Sequence, residues 1–228
     1  MISAEISIII PVFNEAKIIE TTLLKLQKSA TKEIIVVDGG SEDKTVELAQ
    51  KFPVKVISRP HVGRANQMNA GAKMATGDIL LFLHADTCLP VNYEKIVREI
   101  ICQPGIIAGA FELEIAAPGL GLRGIEKMVN WRSRFFSLPY GDQAIFLKNS
   151  VFQEIGGFPD LPIMEDFELI SRLKRRGKIA IASAAVQTSA RRWQKLGLFK
   201  TTLINQLIIL GYYLKIPPTQ LKNLYRKF

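Results

Sequence analysis

The run Ile79-Leu80-Leu81-Phe82-Leu83 constrains this chain more than any other stretch. Five consecutive apolar residues leave no polar face for water, so a strand here must be covered on both sides, as the central strands of α/β sheets are. The run opens at Asp78 and ends in His84-Ala85-Asp86-Thr87, with Pro90 soon after at a first helical position. Ligands of open α/β sheets collect beyond the carboxyl ends of strands, which makes His84 and Asp86 candidate site residues. Taken alone, Asp86 could equally cap the following helix.

The preceding residues repeat the same unit. Ile6 to Phe13 reads as a buried strand, and Ile18, Ile19, Leu23 and Leu26 follow at helical spacing. Glu33 to Asp38 is a second strand; Ser41 then reads as an N-cap, with Glu42 and Asp43 in the first turn of a helix to about Lys51. Val54 to Ile57 and Arg64 to Ala75 complete a third pair. Strand and helix in alternation predict a mostly parallel sheet with helices on both faces. Beyond Pro90 the pattern predicts a helix at Tyr93 to Ile101, a strand at Ile107 to Ile115, a helix within Leu122 to Phe136 and a strand near Gln143 to Leu147. A Gly/Pro loop at Gly156 to Pro162 then leads into a helix from Glu165 to about Gly177, and two short strands precede Arg191.

With 228 residues, 48% of them hydrophobic, the chain can bury one substantial core. A net charge of +9 suits an acidic ligand or an anionic membrane surface. Nucleic acid is disfavoured, because the charge reads as scattered and neither zinc-finger spacing nor a basic run with interleaved aromatics is present. Cys88 and Cys102 form no metal or redox spacing, which favours a reduced, cytoplasmic setting. No stretch has the roughly 18 uninterrupted apolar residues of a spanning helix, and Glu5, Pro11, Asn14 and Glu15 break any signal-peptide pattern. His61 reads as an ordinary loop residue.

Three strand ends therefore deliver polar groups to one edge: Asn14 and Glu15, then Asp38, then His84 and Asp86. The stretch Gly-Arg-Ala-Asn-Gln-Met-Asn-Ala-Gly at 63 to 71 can add Arg64, Asn66 and Asn69. Carboxylates and amides match base and ribose edges, Arg64 suits a phosphate, and Asp86 could hold a divalent ion on phosphate oxygens. Together they describe a pocket for a nucleoside diphosphate.

At this point the sequence resembles the family 2 inverting glycosyltransferases of GT-A fold, over about residues 6 to 193. The resemblance rests on Ile-Ile-Pro-Val-Phe-Asn-Glu at 9 to 15, Val-Val-Asp-Gly-Gly-Ser-Glu-Asp-Lys-Thr at 36 to 45 and Leu-His-Ala-Asp-Thr at 83 to 87. Gly-Asp-Gln at 141 to 143, Glu165-Asp166 and Arg191-Arg192-Trp193 extend it. The wording at 63 to 71 together with 83 to 87 is similar to the bacterial subgroup called radical SAM/selenodomain-associated transferases.

The resemblance implies a GT-A domain over 1–195, with a nucleotide-sugar half to about residue 90 and an acceptor half beyond it. It implies that Pro11, Phe13, Asn14 and Glu15 frame the base and ribose, that Asp38 hydrogen-bonds the base, and that Gly40 and Ser41 line the same turn. Arg64 and Asn69 would face the donor, a UDP-sugar before GDP or dTDP, with His84, Ala85 and Asp86 beside it. Asp86 matches the last carboxylate of the family's Asp-x-Asp motif, which holds manganese or magnesium. His84 replaces the first carboxylate, so either the imidazole takes over a ribose or metal contact or fewer protein groups hold the metal. Asp166 matches the general base that deprotonates the acceptor hydroxyl, with Asp142, Gln143, Glu165, Arg192 and Trp193 on the acceptor side. Gln187 stands five residues before Arg192, where the family's Gln-x-x-Arg-Trp motif has three.

The tail, 196–228, carries a Leu/Ile-rich helix from Leu198 to Leu214 among Lys195, Lys200, Lys215, Lys222, Arg226 and Lys227. Two readings compete: packing on the domain or on a second subunit, and an interfacial helix bringing the site to a membrane and a lipid-linked acceptor. The breadth of its apolar face favours packing. Two rival functions stay open as well. A nucleotidyltransferase would open with a Gly-rich phosphate loop where this chain has Pro-Val-Phe-Asn-Glu, and a non-catalytic sugar-nucleotide-binding scaffold would explain the missing carboxylate at position 84.

Overall fold

The computed structural model describes residues 4–27, 31, 33–60 and 63–227, so His61 lies outside the described residues. The first half is built as the alternation predicts: β1 (Ile6–Val12), α1 (Ile19–Leu26), β2 (Glu33–Asp38), α2 (Thr45–Ala49), β3 (Lys55–Ser58), α3 (Arg64–Met74) and β4 (Ile79–Phe82). β1 pairs in parallel with both β2 and β4, and β3 pairs in parallel with β2. All four strands therefore end at one edge of the sheet.

The second half comprises β5 (Thr87–Cys88), α4 (Tyr93–Ile101), β6 (Ile106–Ile115), α5 (Leu120–Phe136), a single 3₁₀ turn over Gly141–Gln143, β7 (Phe146–Lys148), α6 (Asn149–Glu154), α7 (Glu165–Lys174) and β8 (Lys178–Thr188). Three further helices close the chain: α8 (Arg191–Leu196), α9 (Leu198–Tyr213) and α10 (Pro218–Arg226). The sheet order is β3-β2-β1-β4-β7-β6-β8-β5. β7 runs antiparallel to both β4 and β6, while β8 runs parallel to β6. β5 pairs antiparallel with β8, so the sheet is mostly parallel with two reversed strands, β7 in its interior and β5 at one edge.

Period-two alternation divides the core between the two faces. Ile6, Ile8, Ile10 and Val12 of β1 join Ile34, Val36 and Leu81 on one side, against Ile19 and Leu23 of α1 and Val97 of α4. Ile9 joins Ile35, Val37, Leu80 and Phe82 on the other side, against Ala65 and Met68 of α3 and Leu169 and Ile170 of α7. Truncating any of these isoleucines to alanine removes packing worth about 2–5 kcal/mol. Gly71 of α3 sets how closely that helix lies on the sheet, because a β-carbon there would stand 2.5 Å from Cγ2 of Ile9.

Three expectations are corrected. Pro90 is not a first helical position, because the chain first forms β5 and α4 starts only at Tyr93, after Asn92. The two short strands expected before Arg191 are one eleven-residue strand, β8. Ser41 does not cap α2, which starts only at Thr45; the Ser41 hydroxyl instead accepts a hydrogen bond from the Asn14 amide at 2.9 Å.

Candidate active site

The loops after β1 and β2 are laced together at the carboxyl edge. Asn14 sits in the left-handed region at φ 54°, which asparagine tolerates better than most residues. Its carbonyl Oδ1 accepts from the Glu42 amide at 2.9 Å, and the Glu15 amide donates to Oγ1 of Thr45 at 2.7 Å. The Asp38 carboxylate is 3% exposed and accepts from the amides of Gly40 at 2.9 Å and Ser41 at 3.1 Å. Gly40 turns through φ 98°, a conformation that only glycine adopts without strain. From behind, Nε2 of Gln67 on α3 donates to the carbonyls of Val12 at 2.9 Å and Val37 at 2.8 Å, fixing the ends of both strands. Pro11 is buried within β1, whereas the ring of Phe13 is exposed at the edge.

The tip after β4 is a tight turn in which the Thr87 amide donates to the His84 carbonyl at 3.1 Å. Ala85 is buried and supplies only its backbone, whose carbonyl accepts from Thr22 Oγ1 at 2.6 Å. Asp86 and Glu15 share one cation: Nη2 of Arg191 lies 3.2 Å from Oδ2 of Asp86 and Nη1 lies 3.1 Å from Oε2 of Glu15. No cluster of three or more His, Cys, Asp or Glu side chains with metal-holding geometry occurs among the described residues.

The second half brings its acids to the same edge. Asp166, in the first turn of α7, accepts from the Gly141 amide at 2.8 Å through Oδ2 and from the Phe167 amide at 2.8 Å through Oδ1. His84 approaches the same glycine, for a β-carbon built on Gly141 would stand 3.1 Å from His84 Nε2 and 3.2 Å from Asp166 Oδ2. Burial and the nearby Arg64 charge push the His84 imidazole down to about 4 against the opposing pull of Asp86 and Asp166, so it is neutral at pH 7. Burial pushes the Asp142 carboxyl up to about 6, with Arg132 opposing and the charge of Asp166 adding to the rise. Oδ1 of Asp142 is buried without a hydrogen-bond partner among the described residues. Arg64 reaches across to Glu165, with Nε 2.5 Å from Oε1, and Glu165 is itself 2% exposed.

Several other side chains from the motifs are occupied elsewhere. Asn69 clamps the backbone of Phe158, donating to its carbonyl at 2.8 Å and accepting from its amide at 2.9 Å, so its amide is not free to face a donor. Asn66 donates to Asp160. Gln143 is fully buried: its carbonyl accepts from Ser133 Oγ at 2.8 Å and its amide donates to Phe111 O at 2.9 Å, which withdraws it from an acceptor. Trp193 packs on the core face shared with β1. Arg192 stacks 3.8 Å over the ring of Tyr225, and its buried Nε and Nη2 have no hydrogen-bond partner among the described residues. Arg132 stacks 3.6 Å over Tyr140. Arg191, Gln67, Arg132 and Tyr225 are the additions that the structure makes to the candidate list; Arg191 and Gln67 lay within motifs already quoted, Arg132 and Tyr225 did not.

The sequence profile described as "Glycosyl transferase family 2" matches residues 7–154, a span from β1 through the 3₁₀ turn to α6. The chain belongs to glycosyl transferase family 2. An uncharacterized glycosyltransferase of Haemophilus influenzae is 32% identical over 180 residues, covering 74% of this chain and 61% of that protein. Glycosyltransferase AglE of Haloferax volcanii is 27% identical over 173 residues, covering 68% and 56%. The chain thus spans roughly three fifths of the length of these two curated relatives. In structure, mannosyltransferase PcManGT from Pyrobaculum calidifontis, solved in complex with GDP-Man and Mn2+, superposes with a TM-score of 0.67 at 18% identity over 81% of this chain and 56% of that one. S. aureus TarS 1-349 in complex with UDP-GlcNAc gives 0.64 at 19% identity over 81% and 58%. These similarities establish the GT-A fold of the family 2 chain.

Proposed function

We propose that this chain transfers a sugar from a nucleoside diphosphate donor, a UDP-sugar foremost, to a hydroxyl acceptor with inversion at the anomeric carbon. The observation that carries the reading is the convergence of Asp166, His84 and Asp142 around Gly141, beside the loops that end β1, β2 and β4. On this reading Phe13 stacks on the base, Asn14, Glu15 and Asp38 border the base and ribose, and Gly40 and Ser41 hold the turn that shapes them. Asp166 takes the proton of the acceptor hydroxyl as the new bond forms, so no covalent intermediate on the protein is needed. Two amides already orient its carboxylate from the side.

Asp86 supplies a hard oxygen ligand suited to manganese or magnesium, whose shell waters and phosphate oxygens complete. Such a cation, when bound, would neutralise charge on the departing diphosphate. The Asp86 carboxylate becomes available to it once Arg191 turns away, and Arg191 is then free for a phosphate oxygen. Arg64 stays charged beside Glu165 and adds positive potential at the leaving group. Neutral His84 can accept or donate one hydrogen bond to the sugar. On the acceptor side, Nε and Nη2 of Arg192 and Oδ1 of Asp142, which have no hydrogen-bond partner among the described residues, are groups that could meet acceptor oxygens and hydroxyls.

The test is the thermal stability of the purified chain with UDP, GDP, dTDP or ADP, each with and without Mn2+. Ligand at about a hundredfold excess over its dissociation constant stabilises by about 2.7 kcal/mol. A selective rise with one diphosphate, enlarged by the metal, supports the donor assignment. The absence of any rise on folded protein overturns it.

A further inference from the structure

α9 carries apolar residues on its outer as well as its inner side, with Lys200 and Gln206 among the outer ones, yet only one side of it is covered. Ile204 and Ile208 pack with Met164 and Phe167 next to the candidate base, while on the other side Leu203 is 59% and Phe199 87% exposed, with Leu207 and Leu210 also open. A helix of this composition inside a soluble domain is normally enclosed. α5 lies beside it: Gly121 leaves room for Leu198, and Leu138 and Tyr140, which follow α5, pack into the same cluster as Ile204. Along its outer side α5 carries Trp131 and Phe135, the latter 72% exposed, with ring centroids 5.2 Å apart.

Charge identifies what covers this rim. The net +9 that reads as scattered is concentrated, because residues 191–228 hold eight lysines and arginines and no aspartate or glutamate. Lys195 precedes α9, Lys215 follows it, and Lys127 stands one helical turn before Trp131. A second copy of the chain would set this cationic rim against itself. An anionic lipid surface complements it, receiving the apolar side chains between its headgroups and the cations at its phosphates. Among the described residues no helix is long and apolar enough to cross a membrane, so the contact is one of lying on the bilayer.

We propose that the outer faces of α5 and α9 form a docking surface for an anionic lipid bilayer, holding the acceptor side of the site against the membrane. This goes beyond the transferase reading and does not depend on the identity of the donor.

The experiment is co-sedimentation of the full chain with phosphatidylcholine vesicles, with and without phosphatidylglycerol, at low and high salt. Binding is expected on the anionic vesicles only, weaker at high salt. The double variants Trp131→Ser/Phe135→Ser and Phe199→Ser/Leu207→Ser should each lose about tenfold or more in partitioning. Their melting temperatures and their response to nucleoside diphosphates should stay unchanged. Lys195→Glu/Lys215→Glu provides a second route that leaves the apolar face intact and should weaken binding likewise. No binding to either vesicle, or equal binding by all variants, overturns the proposal. A dimer seen by light scattering, lost in the serine variants and accompanied by no vesicle binding, overturns it in favour of a second copy.

Discussion

Nε2 of His84 and Oδ2 of Asp166 both close on Gly141, so that a β-carbon there would stand 3.1 Å from the one and 3.2 Å from the other, tighter than ordinary contact. The backbone at Gly141 is not left-handed, so alanine meets no backbone strain there and only crowds these two side chains, which must give by a few tenths of an ångström. Gly141→Ala should therefore fold with near wild-type stability while spreading His84 and Asp166 apart. Since a misplacement of about 1 Å can cost about 10²-fold, this smaller one should lower turnover by up to that amount. Steady-state transfer rates beside thermal melts check it; an unchanged rate would show that the spacing of the two groups is irrelevant to the chemistry.

Asp166→Asn keeps a side chain that can occupy the same place but cannot take a proton at neutral pH. Turnover should fall by about 10² to 10⁴-fold, the usual worth of a general base. Donor binding, followed by calorimetry with the nucleoside diphosphate, should persist. Loss of binding along with turnover would assign Asp166 to the donor pocket instead.

Asp142 is held above its ordinary value of 3.8, to about 6, chiefly by burial. The folded state then binds more protons than the unfolded state between those two values, so the stability associated with this group is present at low pH and is lost as pH rises through about 6. Asp142→Asn removes the buried charge. It should stabilise the fold at pH 7.5 by about 1–2 kcal/mol, discounted for partial solvent access, with the advantage vanishing near pH 4. Urea titrations at both pH values decide this, and a variant less stable at pH 7.5 would contradict it.

Glu33 behaves in the opposite sense at the far edge of the sheet. Burial works against its charge, but hydrogen bonds from Lys55, the Thr76 amide and the hydroxyls of Ser7 and Thr76 outweigh it and lower the carboxyl from 4.5 to about 2. The unfolded state binds the extra proton here, so the stabilisation is complete above about 4.5 and is lost as pH falls toward 2. Glu33→Gln should cost about 1–2 kcal/mol at pH 7, allowing for solvent screening, and little at pH 2. Denaturation midpoints across that range measure it; a pH-independent loss would mean that shape and not charge is at stake.

The first half of the fold was legible because β1, β2 and β4 are short apolar runs whose alternate residues feed two faces, a signal that needs no tertiary information. The continuity of β8 was not, because Lys178-Ile-Ala-Ile-Ala-Ser-Ala-Ala-Val-Gln-Thr is rich in alanine, which carries little strand signal, and it reads as two short strands. α6 has six residues, too few to display a helical period. The strand pattern placed Asp38, His84 and Asp86 at the carboxyl edge of the sheet, where they lie. The direction of an amide is another matter: Asn69 and Gln143 sit in the right motifs, yet their side chains serve Phe158 and Phe111. The Arg191 bridge to Glu15 joins residues 176 apart, a pairing that no local pattern encodes.

A sheet whose strands all point one way can offer a ligand only what has just left a strand. Because β7 is turned against β4, the chain also approaches that shared rim on its way in, and Gly141 and Asp142 arrive there before their strand begins. The reversal of this interior strand thus brings arriving and departing segments to the same rim. It brings loops from both halves of the chain to one rim, where each can change length or sequence without disturbing the strands behind it.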